Sequence, residues 1–116
     1  MNVANIELCQ ELYDLSGWLT GIDGYCYVSP TGEKRSFEVR LLKDTENDRA
    51  RIYPAYDLGY LLRRLPPGNV LTSLENEWIA SSSPKVATAA IPEDATAKLA
   101  IELFKQGILP RRGDEA

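Results

Sequence analysis

Residues 53–68 read Tyr53-Pro54-Ala55-Tyr56-Asp57-Leu58-Gly59-Tyr60-Leu61-Leu62-Arg63-Arg64-Leu65-Pro66-Pro67-Gly68, and they decide the fold class. Pro54 disfavours helical dihedrals at Tyr53, so the stretch opens as the end of a strand. Leu58, Leu61, Leu62 and Leu65 then recur at i, i+3, i+4 and i+7, one stripe of a short helix. Asp57 in the first turn and Arg63-Arg64 in the last suit the helix dipole. Pro66-Pro67-Gly68 cannot continue a helix, so the stop is abrupt.

Toward the N-terminus, residues 5–15 predict a helix. Asn5 is its cap, Ile6, Cys9, Leu12 and Tyr13 form its apolar side, and Gly17 is placed to end it in the left-handed region. Gly21-Ile22-Asp23-Gly24 is a turn-rich connection. Residues 25–29 (YCYVS) predict a strand. Pro30-Thr31-Gly32 supplies a turn. From Arg35 to Leu41, Phe37, Val39 and Leu41 alternate with Ser36, Glu38 and Arg40, a strand with one wet face. Residues 43–48 form a polar loop, and residues 49–53 a third strand that Pro54 closes.

Toward the C-terminus, residues 69–73, 77–81 and 85–90 predict three short strands, with loop as the alternative for the last. The final helix starts at Pro92, with Glu93 and Asp94 at its positive end. Ala95, Leu99, Leu103 and Phe104, widened by Ala100, face the core. Gly107 and Ile108 fit a Schellman ending. Residues 111–116 are expected to be a flexible tail.

The order is helix, three strands, helix, two or three strands, helix. With no alternation of single strands and helices, this predicts an α+β fold over residues 1–110. Its five to six short strands are mainly antiparallel and packed against three helices, in the order αβββαβββα.

At 116 residues the chain has the length of one domain. The 13 basic and 17 acidic residues give a net charge of −4. That excludes the dense cationic surface that indiscriminate phosphate-backbone binding needs. A negative surface suits a basic partner instead, such as a protein that itself holds nucleic acid. Cys9 and Cys26 predict buried, reduced thiols and a cytoplasmic setting. No apolar run approaches the roughly 18 residues of a membrane span, and the first residues lack the pattern of a cleaved secretion signal.

The chain has no histidine. That removes the usual general base near neutral pH, the commonest zinc ligand and every histidine-activated nucleophile. Ser82-x-x-Lys85 has the spacing of a serine–lysine pair but contains Pro84 and lies in a turn rather than on a helix. Gly21-x-x-Gly24 leads into a strand and does not form a phosphate loop. Residues 44–48 are acidic without the ligand spacing of an EF-hand. The expectation is a non-enzymatic protein with no cofactor and no metal.

The residues that the core pattern leaves over are candidates for recognition: Trp18, Arg49, Arg51, Tyr53, Tyr56, Tyr60, Arg63 and Arg64. Aromatic rings and guanidiniums sharing a surface stack on and pair with a nucleotide. The same residue types dominate protein–protein hot spots. The plainer alternative is that the tyrosines cap the core and the arginines are solvated rim.

The run from Tyr53 to Pro66, with Pro92-Glu93-Asp94-Ala95 and Phe104-Lys105-Gln106-Gly107-Ile108-Leu109, resembles small accessory proteins of bacterial prophages and mobile elements. These matches cover about a third of the chain and are largely structural. The resemblance implies expression inside a bacterial host and stoichiometric antagonism of a defence component, such as a nucleic-acid-binding effector, in the manner of an anti-CRISPR protein. It supplies no catalytic residues. The alternative is sequestration of a small nucleotide immune signal at an Arg/Tyr-lined interface between copies of the chain.

Overall fold

A computed structural model describes residues 2–20, 24–28, 37–41 and 52–110. The chain runs α1 (Ile6–Ser16), β1 (Tyr25–Val28), β2 (Glu38–Leu41), β3 (Ile52–Ala55), α2 (Leu58–Arg64), β4 (Val70–Leu74), β5 (Glu77–Ser82), β6 (Lys85–Ala89) and α3 (Pro92–Lys105). This is the expected αβββαβββα order. The strands form two three-stranded antiparallel sheets, ordered β2-β1-β3 and β4-β5-β6.

The last helix is central. From Glu93 to Phe104, every residue except Asp94, Lys98 and Glu102 is buried. The apolar stripe is therefore far wider than the Ala95–Leu99–Leu103–Phe104 line expected. The reason is that α3 contacts α1, α2, β5 and β6 together. Three of the buried positions are Thr96, Ala97 and Ala100, and their small side chains let those neighbours approach. The Thr96 hydroxyl is satisfied by donating to the Pro92 carbonyl at 2.8 Å. The helix closes as expected, with Gly107 at φ 76° and the N–H of Ile108 donating to the Leu103 carbonyl at 2.9 Å.

Helix α1 is capped by Asn5, whose side chain accepts from the N–H of Leu8 at 2.9 Å, and it ends at Gly17 with φ 68°. Asn5 also reaches α3. Its N–H donates to Asp94 Oδ1 at 2.8 Å and its side-chain amide to Oδ2 at 3.3 Å. Two helix N-termini far apart in sequence are thereby joined. Cys9 and Cys26 are buried free thiols, as expected. Buried residues of all three helices and both sheets, Leu12, Tyr27, Ala55, Leu61, Ala80 and Leu103 among them, make one core.

Two local readings need correction. Pro54 does not close β3, which runs through it to Ala55. The strand lies at the edge of its sheet, where a residue without an N–H is tolerated. Asp57 is the N-cap of α2 rather than part of its first turn. Its carboxylate accepts from the N–H of Tyr60 at 2.7 Å. The uncertain segment after Pro84 is a strand, paired in register with β5 from Trp78↔Ala89 to Ser82↔Lys85. The expected strand over 49–53 lies partly outside the described residues, and the turn at 30–32, the polar loop at 43–48 and the tail at 111–116 lie wholly outside them.

Candidate functional site

The fold brings together four of the eight candidate residues. Gly17 turns the chain out of α1 and presents Trp18 beside α3, where its ring meets Phe104 edge-on at 5.1 Å between centroids. Tyr56 and Tyr60 come from the end of β3 and the start of α2, and their rings stack at 5.4 Å and 21°. Their hydroxyls hold the segment that follows α1. Tyr56 donates to the Trp18 carbonyl at 2.7 Å and Tyr60 to the Leu19 carbonyl at 2.8 Å. Arg64, one helical turn after Tyr60, lays its guanidinium 5.0 Å from the Tyr60 centroid and 5.9 Å from that of Trp18.

The layering decides what this cluster can do. Tyr56 is fully buried. Tyr60 has one face against Tyr56 and carries Arg64 over its ring, so neither tyrosine offers an open face to a base. Burial pushes the Tyr56 and Tyr60 hydroxyls above their ordinary pKa, and for Tyr60 the Arg64 charge pulls the other way. Both remain neutral donors at physiological pH. What faces solvent is Arg64, its neighbour Arg63 and Leu19, which is 66% exposed. Leu19 carried no signal in the helix and strand periodicities because it lies in the connection after α1.

The remaining candidates are elsewhere or undescribed. Tyr53 lies in β3, with its ring against Phe37 at 5.8 Å and 64°, and it packs on the core. Arg49 and Arg51 lie outside the described residues. Ser82 and Lys85 face each other across the β5–β6 turn and not along a helix. Among the described residues, no group of histidine, cysteine or carboxylate side chains is arranged to hold a metal ion, and no helix is long and apolar enough to cross a membrane.

A second surface feature adjoins the cluster. Glu7, Glu11 and Asp14 are exposed on α1 at i, i+4 and i+7, hence on one face. Lys105 offsets Glu11, at 3.1 Å. This acidic stripe runs along α1 toward Gly17 and Trp18. No protein-family model matches the chain, and no significant match is found among curated proteins or solved structures.

Proposed function

We propose that the chain is a non-catalytic binding protein that docks a bacterial host-defence component through the surface of Leu19, Arg63 and Arg64. The observation that carries this reading is the stacking of Arg64 over Tyr60 and Trp18 beside exposed Leu19. A guanidinium held on aromatic rings loses little further freedom on binding, and Arg beside Trp, Tyr and an apolar side chain is the composition of an interface hot spot. The acidic stripe of Glu7, Glu11 and Asp14 favours a partner with a basic, nucleic-acid-binding face, which it attracts at long range. The resemblance to mobile-element accessory proteins is what makes a defence component the partner class, and that step is associational.

Nucleotide sequestration fits this cluster less well, because the rings of Tyr56 and Tyr60 are already covered.

The test is to mix the purified chain with purified nucleic-acid-binding bacterial defence effectors and look for a complex by size exclusion with light scattering. A 1:1 or other fixed-ratio complex is expected with one of them. Leu19→Asp and Arg64→Glu should abolish it, while Glu7→Lys should slow association and flatten its salt dependence. Absence of any complex across the set removes the reading. Heat on titration with a nucleotide panel would redirect it to the small-ligand alternative.

A further inference from the structure

We propose that β4 is a dimerisation edge, pairing antiparallel with β4 of a second copy to make a continuous six-stranded sheet. Two three-stranded sheets have four edges, and three of them are guarded. Strand β2 carries the Glu38–Arg40 ion pair, at 2.6 Å. Strand β3 carries Pro54, which has no N–H, and the N-terminal segment lies just beyond it. Val3 bridges Asp57 there, and the N–H of Ala4 donates to the Tyr56 carbonyl at 2.9 Å. Strand β6 begins with Lys85, and Lys98 of α3 donates to the Thr88 carbonyl at 3.3 Å. Charges, prolines and cover are the ways in which sheet edges are kept from pairing. Strand β4 (VLTSL) has no charge and no proline, and no cover among the described residues. Among the described residues it pairs only with β5, and four of its five residues are exposed, Val70 by 55% and Leu74 by 53%.

The sequence of β4 favours a second copy over another occupant. Leu74 and Glu77 are paired across the two-residue turn Glu75-Asn76, so they exchange hydrogen bonds. Alternation along the strand then turns the N–H and C=O groups of Leu71 and Ser73 to the free edge. A two-fold axis at Thr72 satisfies those groups, setting Leu71 against Ser73 of the second copy. On the outer face it sets Val70 against Leu74 and Thr72 against itself. Opposed apolar pairs of this kind are the stabilising unit of a sheet. Electrostatics agree. The run from Leu65 to Leu74 has no charged residue, and Glu75 falls opposite Asn69, so two copies of a chain of net charge −4 meet without opposed carboxylates. A strand edge roughly 17 Å long covers only part of the roughly 800 Å² per partner found in stable complexes. The dimer is accordingly one that dissociates on dilution.

Sedimentation equilibrium of the full chain over a concentration series tests this. The wild-type mass is expected to rise from that of a monomer toward twice that value. Thr72→Lys, an exposed position where the new charge faces its own copy, should hold the chain monomeric while leaving its circular dichroism spectrum unchanged. Thr72→Cys should form a covalent dimer under mild oxidation. Its opposed, non-hydrogen-bonded Cα atoms would stand roughly 4.5 Å apart, within disulfide reach, whereas Cys9 and Cys26 are buried. A wild-type chain that stays monomeric up to about 1 mM, the weak end of measurable affinity, overturns the proposal and leaves the edge to an extended segment of some other protein. A dimer that survives Thr72→Lys, with no cross-link at position 72, overturns it in favour of another face.

Discussion

The hydroxyl of Tyr56 donates to the backbone carbonyl of Trp18 at 2.7 Å. Tyr56 is fully buried, so this bond anchors the connection after α1 from inside the core. Tyr56→Phe leaves that carbonyl unmet while preserving the ring stack with Tyr60. Losing this part-buried bond costs about 1 kcal/mol. Tyr60→Phe removes the bond to Leu19 at an exposed site, where water replaces it, and should cost less than half as much. Urea denaturation of the two variants checks the ranking, and equal losses would contradict it.

Arg64 and Arg63 are adjacent and both exposed, yet only Arg64 lies over aromatic rings. Cation–π contact at exposed sites contributes about 0.5–1 kcal/mol. Arg64→Ala should therefore lower stability by about that amount and shift Trp18 emission, and Arg63→Ala should do neither. Arg64→Lys should recover only part of the loss, since an ammonium does not stack as a guanidinium does. Fluorescence-monitored unfolding of the three variants distinguishes these outcomes.

Local chemistry made most element boundaries readable. Asn5 and Gly17 set the ends of α1, and Pro92 and Gly107 those of α3. All of these act through backbone groups within one turn. Pro54 misled because a proline ends a central strand but is accepted at an edge, and strand order is a long-range property. The width of the buried face of α3 was hidden for the same reason. Thr96 and Ala97 fall off the Ala95–Leu99–Leu103 stripe, and only the arrival of neighbouring elements on their side of α3 shows that they are interior. Within the candidate set, residue type alone separated none of the tyrosines. Tyr56 and Tyr60 differ from Tyr53 because two carbonyls after α1 come within reach of their hydroxyls.

Glu93 is 95% buried in the first turn of α3, and its Oε2 has no hydrogen-bond partner among the described residues. An unmet buried oxygen costs about 1–3 kcal/mol. The helix dipole returns about 0.3–1 kcal/mol to a carboxylate in this position. The cost is the larger effect, so Glu93→Met, of similar volume and without the polar atoms, should raise stability by about 1 kcal/mol. Chemical denaturation measures this directly. A loss of stability would mean that the carboxylate has a partner beyond the described residues.

Alkaline pH should weaken the fold in a defined order. Burial pushes the Cys9 thiol from its ordinary 9.0 up to about 12. Tyr27 and Tyr56 are raised above 10.0 chiefly by burial as well; Cys9, Asp94 and Glu7 add to it for Tyr27, while a hydrogen bond with Ser16 pulls Tyr56 the other way. A group whose pKa is higher in the folded state keeps its proton there after the unfolded chain has lost it. The unfolded state then binds fewer protons, and stability falls as pH rises. The contribution of Cys9 is intact below pH 9 and is lost progressively between pH 9 and about 12. The tyrosines add to the slope from pH 10 upward. The thermal midpoint should be unaffected by these groups up to pH 9 and decline above it. Cys9→Ala should remove the part of the decline that begins between pH 9 and 10, at the expense of lower stability at neutral pH from the lost packing. The same burial predicts that iodoacetamide labels Cys9 at pH 8 only after unfolding. Rapid labelling of the native chain at that residue would show that the thiol is open to solvent and would break the argument for the pH profile.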